Sequence, residues 1–145
     1  MISCDASFLV SLYLLDKHTP KARAKLRQLR PLEELMLSPF HQYELPNAVR
    51  LSVFRGFRTA AAGETILAAF EADLANGYFA LPTCNLASVL IEAKSLSASH
   101  TMTGGHRAFD ILHVAAALHL GAGEFLTFDT NQRKLAAAVG LKPAP

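Results

Sequence analysis

Short apolar runs alternate with longer stretches of helical period along the chain. ISC, ending at Asp5, predicts a strand, and residues 7–15 predict an apolar helix with Ser7 near its N-cap. TPKARAKLRQLR reads as a basic amphipathic helix with Pro20 early in it, LMLS as a short strand, and a third helix opens at Pro39 and carries Glu44. Pro46 lies inside that helix, where its missing N–H and its constraint on Leu45 predict a kink or a helix start close to Glu44. GETILAAFEADLANG predicts a helix closed by Asn76-Gly77, YFALP a strand, NLASVLIEAKSLSAS a helix and TMTGGH a loop. AFDILHVAAALHLG, from Ala108, is a nearly uniform apolar helix ending at Gly121. EFLTF predicts a strand, DTNQRKLAAAVG a helix and LKP a last short strand.

Strands separated by helices predict an α/β fold: a central, mostly parallel sheet of four to five short strands, flanked by helices on both faces. The 145 residues suit one domain spanning 1–145, with no linker, repeat or low-complexity run. An apolar fraction of 51% against 18% charged residues predicts a substantial core and excludes a disordered chain. The net charge of +2 is too small for a protein that coats nucleic acid by charge alone. Cys4 and Cys84 form no CxxC pair, which fits a reducing cytoplasm, argues against a zinc site, and makes both read as small buried hydrophobes. FLVSLYLL lacks preceding basic residues, is flanked by Asp5 and Asp16, and is too short to span a bilayer. The expectation is a cytoplasmic protein without a membrane partner.

Four carboxylates stand out against this background. Asp5 and Asp129 each fall where a predicted strand hands over to a helix, and sites in open parallel sheets form beyond the carboxyl ends of strands. Asp110 lies in the first turn of an apolar helix, where backbone donors and the helix dipole favour a negative charge, and it shares a face with His113 and Val114. Taken singly, each has a structural explanation: Asp5 and Asp129 as N-caps, Asp110 as a cap or solvated residue, Glu44 as an exposed helix residue. The combination of four acids at element ends or on apolar helices, in a chain with only 12 acidic residues, points instead to a shared site.

At these residues the sequence resembles the PIN-domain ribonucleases, most closely the VapC-like toxins of type II toxin-antitoxin pairs. CDASFLVSLY resembles the family's opening strand, with Asp5 and Ser7; HQYELPNAV its second acidic segment, with Glu44. RAFDILHVAAAL resembles the third, with Asp110, and FLTFDTNQRKLAAAVGL the fourth, with Thr127 and Asp129. The likeness spans the chain and keeps the motif order.

The resemblance implies a PIN-like fold and an endoribonuclease dependent on one or two Mg²⁺ or Mn²⁺ ions. Its catalytic and metal-holding residues would be Asp5, Glu44, Asp110 and Asp129, with Ser7, Thr127 and Asn131 auxiliary. It further implies RNA as substrate, a cognate antitoxin as partner, and a homodimer. Carboxylate chemistry agrees, because hard divalent cations prefer such oxygens. Two like charges about 4 Å apart repel by about 4 kcal/mol at an effective dielectric of 20, a large share of a net stability of about 5–15 kcal/mol. Such a cluster must protonate, spread apart or take up a cation.

Other residues invite weaker readings. Lys21, Arg23, Lys25, Arg27 and Arg30 make the second helix basic, and Arg50, Arg55 and Arg58 add charge after Glu44. Such runs are commonly solvated faces; beside an acidic site they would offset repulsion of phosphates and contact the RNA backbone. His113 and His119 read as structural histidines, and His100 and His106 flank the Gly-Gly loop within reach of a substrate. Arg107, three residues before Asp110, is placed to pair with an acid or with a phosphate. The apolar first helix and LSVFRGF offer surface for partners.

Three rival classes remain. A receiver-like phosphoacceptor domain needs adjacent acids after its first strand and a later lysine, which Asp5 and FLTFD do not supply. A haloacid dehalogenase-like phosphatase needs a second acid two residues after the first, where Ser7 stands. A non-catalytic PIN-like domain that binds RNA or a partner is separated from the enzyme by metal-dependent cleavage.

Overall fold

The computed structural model describes residues 1–29 and 33–145; Arg30, the last member of the predicted basic run, lies outside the described residues. The described residues form four short strands, β1 (Ile2–Cys4), β2 (Leu35–Met36), β3 (Glu124–Leu126) and β4 (Lys142–Ala144). They make one parallel sheet in the order β2-β1-β3-β4. The chain leaves β1 to one side and returns on the other, so the switch point of the topology lies between β1 and β3. Cys4 pairs with Leu126 at the carboxyl end of that central pair, and the Asp5 N–H donates to the Leu126 carbonyl at 3.0 Å.

Among the described residues, seven helices cover the sheet: α1 (Ala6–Tyr13), α2 (Thr19–Arg27), α3 (Pro39–Phe54), α4 (Ala60–Ala75), α5 (Leu86–Gly104), α6 (Ala108–His119) and α7 (Thr130–Ala138). Strand side chains alternate between faces. Ile2, Cys4 and Leu126 join Phe8, Leu9, Leu45, Val49 and Phe70 in a core beneath α1, α3 and α4. Phe125 instead joins Val89, Ile111, Val114 and Leu135 beneath α5, α6 and α7. Neighbouring residues of β3 thus anchor two separate cores, as a sheet buried on both faces requires.

The structure corrects the sequence reading at several boundaries. α1 begins at Ala6 and ends at Tyr13, short of the predicted Leu15; its N-cap is Asp5, two residues before Ser7, because the Asp5 carboxylate accepts the Phe8 N–H. α3 runs through Pro46 without a new start: the proline ring is buried in the core, and Gln42, whose carbonyl it cannot pair with, is exposed. YFALP is not a strand. Only Ala80 bridges to β2, at Met36, and Pro82 has no N–H with which to extend a ladder. Most of TMTGGH is helix, since α5 continues to Gly104 and stops where Gly105 takes a left-handed φ of 64°. A Cβ at Gly104 would meet the His106 ring, which would have to shift to admit it. Cys4 is fully buried, but Cys84 is half-buried against the second core. Among the described residues, no helix is long and apolar enough to cross a membrane.

Candidate active site

Asp5 follows directly on β1, and its side chain is 3% exposed. Oδ1 accepts the Phe8 N–H at 2.7 Å, while Oδ2 accepts the hydroxyls of Ser7 at 2.6 Å and Thr127 at 2.7 Å. Burial pushes the carboxyl above its usual range, and the three donors pull it back towards the charged form. Thr127, fully buried just beyond β3, also accepts the Asp129 N–H at 3.0 Å. One hydroxyl therefore ties the acid after β1 to the acid after β3.

Asp129 caps α7: its Oδ1 accepts the Asn131 and Gln132 N–H groups, each at 2.8 Å. The structural explanations offered for Asp5 and Asp129 are thus correct as geometry, yet both side chains also border the same pocket. Asp110 is no cap. It sits in the first turn of α6, where the N-cap residue is Arg107, and its Oδ2 accepts from Arg107 Nε at 2.9 Å. Arg107 Nη2 also lies 3.7 Å from Asp129 Oδ2, so one guanidinium spans two acids.

Glu44, on α3, is partly covered and not the exposed helix residue of its structural reading. Nε2 of His113 donates to its Oε2. His113 is buried on α6, and no partner for its Nδ1 is found among the described residues. Behind it stands His41, ring centroids 4.5 Å apart. The Ser38 N–H donates to His41 Nδ1 at 3.0 Å, which leaves Nε2–H to donate to the Cys4 carbonyl at 2.9 Å. Burial, with the charge of His113, lowers its pKa to about 3, so His41 is a neutral brace between α3 and β1.

All four acids line one pocket of about 410 Å³, together with Ser7, Arg107, His113 and Gln132. Its position at the carboxyl ends of β1 and β3 is the switch-point position of open α/β sheets. The larger cavity, about 810 Å³, is an apolar groove among α1, α2 and α4 and contains none of these acids. The carboxylate set suits a hard divalent cation in its chemistry. Among the described residues, however, no three His, Cys, Asp or Glu side chains converge closely enough to ligate one ion. Glu44 is drawn to His113, and Arg107 occupies the space between Asp110 and Asp129.

Three residues contribute more than the sequence reading assigned. Gln132 is almost fully buried and donates to the Asp110 carbonyl at 3.1 Å, fixing α7 to α6 beside the site. Its phase with the core residues Leu135 and Ala136, three and four positions on, is the signal that would have marked it. His113 holds a site carboxylate as well as the core, and Arg107 pairs with two acids. Asn131, by contrast, turns its side chain to the Gly105 carbonyl, 3.4 Å away, and reaches Asp129 only through its backbone. His106 is buried against Gly104, His119 accepts the Asn85 N–H, and neither of them nor His100 lines the pocket. Of the basic runs, Lys21, Arg23, Lys25, Arg27, Arg50, Arg55 and Arg58 do not line it either. Lys25 pairs with Glu124 at 2.6 Å, and Arg58 donates to the Leu14 carbonyl.

A model of the PIN domain family matches residues 2–138 of the chain. Among solved structures, FitAcB from Neisseria gonorrhoeae aligns over 100% of this chain and 97% of its own, with a TM-score of 0.71 and 20% identity. VapBC2 from Rickettsia felis, solved bound to a DNA fragment from its promoter, aligns over 99% and 98%, with a TM-score of 0.72 and 16% identity. VapBC-1 from nontypeable Haemophilus influenzae aligns over 99% and 97%, with a TM-score of 0.63 and 17% identity. At these identities the likeness is one of fold. No curated protein matches the sequence.

Proposed function

The chain belongs to the PIN domain family, a family of nucleases, and from that premise we propose that it is a metal-dependent endoribonuclease acting as the toxin of a toxin-antitoxin pair. One observation carries this reading: acids from four separate segments, Asp5, Glu44, Asp110 and Asp129, line a single pocket at the switch point of the sheet. Asp5, Glu44 and Asp110 would hold Mg²⁺ or Mn²⁺, with Asp129 serving a second ion or orienting water. The chemistry such an ion supplies when bound is a more acidic water and stabilisation of charge on the leaving oxygen.

The protein's own part is to place oxygen ligands and keep them in position. Ser7 and Thr127 fix Asp5 from two sides, and His113 fixes Glu44. Partners of metal ligands typically matter by 10- to 100-fold. Thr127→Val, which keeps the shape and removes the hydroxyl shared by Asp5 and Asp129, should lower the rate of RNA cleavage by about that factor. Rates at saturating metal, with the fold checked by circular dichroism, measure it.

The partner is an antitoxin whose apolar segment lies in the groove of Leu12, Tyr13, Leu26, Ile66 and Phe79. Exposed Phe54 and Phe57, at 87% and 75%, offer further apolar surface for that partner or for a second copy in a homodimer. Expression together with its neighbouring genes should yield a complex with a short protein, and RNA cleavage should emerge when that protein is removed. The unconverged acids favour one alternative, a PIN-like domain that binds RNA or a partner without cleaving. Failure to cleave any of a broad RNA panel with Mg²⁺ or Mn²⁺ would decide for it.

A further inference from the structure

Among the described residues, Arg107 is the lysine or arginine that lines the acid pocket, and it does not behave like a packed structural arginine. Its side chain is 76% exposed and, among the described residues, makes a hydrogen bond to Asp110 and a longer electrostatic contact to Asp129. The well-covered Lys25–Glu124 pair, with side chains 20% and 19% exposed, shows what a shielded ion pair looks like in this fold. Arg107 is also the N-cap residue of α6, two residues after the left-handed turn at Gly105, so its side chain projects from the start of the helix that carries Asp110.

We infer that Arg107 is an arm with two positions: laid across Asp110 and Asp129 it takes the place of a divalent cation, and displaced by that ion it grips a non-bridging oxygen of the RNA phosphate. The inference rests on the metal-dependent reading of the same pocket. The acids repel one another, and the chain meets that repulsion with its own positive charge. Exposed ion pairs are weak, so a doubly charged ion that several carboxylates can share displaces the guanidinium at little cost. Once free, the side chain remains tethered at the rim. Its remaining donors form the planar fork that matches a phosphate, and its charge offsets the repulsion between an acidic pocket and a polyanion. Arg107 would thereby make ion binding and RNA binding support each other.

The test uses the full-length protein and Mg²⁺ alone before any RNA is added. Calorimetry gives Mg²⁺ affinity, and the ¹⁵N–¹H signal of Arg107 Nε, assigned by its loss in Arg107→Gln, reports the arm. The signal should move with the same midpoint as Mg²⁺ binding, and Arg107→Gln should bind Mg²⁺ about two- to fivefold tighter. With Ca²⁺ in place of Mg²⁺, the same variant should bind a short single-stranded RNA about tenfold more weakly. Arg107→Lys should not restore RNA affinity, because an ammonium lacks the fork. A signal unmoved at saturating Mg²⁺, with Arg107→Gln unchanged in affinity, overturns the arm alone, provided Asp110→Asn abolishes Mg²⁺ binding. If the unsubstituted protein binds Mg²⁺ no better than Asp110→Asn, the metal reading fails and the arm fails with it.

Discussion

Asp5→Asn should leave the protein folded and lower RNA cleavage by at least about 100-fold. The two halves of this expectation come from different roles of one side chain. As an N-cap, Asp5 accepts the Phe8 N–H through Oδ1, a task the asparagine amide oxygen performs as well, while the amide nitrogen in place of Oδ2 requires the Ser7 and Thr127 hydroxyls to turn and accept, so the fold should hold at a modest cost in stability. As a site residue, Asp5 contributes a buried negative charge, which asparagine cannot replace. Partners of metal ligands already cost 10- to 100-fold when removed, so a ligand sets a larger floor. Parallel measurements of cleavage rate and thermal midpoint separate the roles. A variant that cleaves normally would make Asp5 a cap and nothing more.

The largest expected effect on stability lies at Phe125. It is fully buried in β3 and is the strand's contribution to the core beneath α5, α6 and α7. Truncating a buried phenylalanine to alanine costs about 3–5 kcal/mol, through lost transfer energy and the cavity left behind. Against a net stability of about 5–15 kcal/mol, Phe125→Ala should leave a marginal fold. Its neighbour Leu126 ends in the other core and precedes Thr127, so slackening β3 should also loosen the tie between Asp5 and Asp129. Denaturant unfolding gives the energy. A cost below 1 kcal/mol would mean that Phe125 does not anchor the second core.

The sequence reading succeeded where a local signal had no strong competitor. Asp5 and Asp129 were legible because each ends an apolar run and opens a helix, and both indeed cap one. α6 was legible from its apolar run and from Gly121, which takes a positive φ just beyond it. Failures came where tertiary context overrode a local rule. Pro46 suggested a break, but burial of its ring holds α3 together around it. TMTGGH looked like a loop because two glycines stand in it, yet only Gly105 ends the helix, and Gly104 is its last residue, packed against the His106 ring.

The candidate site was legible as a set of acids and opaque as a network. No spacing in the sequence reveals that Thr127 reaches Asp5 across 122 positions, or that His113 meets Glu44 across 69. Those contacts depend on β1 and β3 being neighbours and on α3 meeting α6, which are facts of topology. Arg107 was the exception. Its place three residues before Asp110 suggested a pair, and its second contact, to Asp129, needed the fold.

Four acids from separate segments are proposed to make one metal-using, RNA-cleaving site. Cleavage of a defined single-stranded RNA by the purified, partner-free protein tests it most directly, run with Mg²⁺ or Mn²⁺, with EDTA, and with Asp110→Asn. Cleavage should occur only with the metal and leave linear phosphate ends, because water and not the ribose hydroxyl attacks. Equal cleavage in EDTA, or by the Asp110→Asn protein, would contradict it.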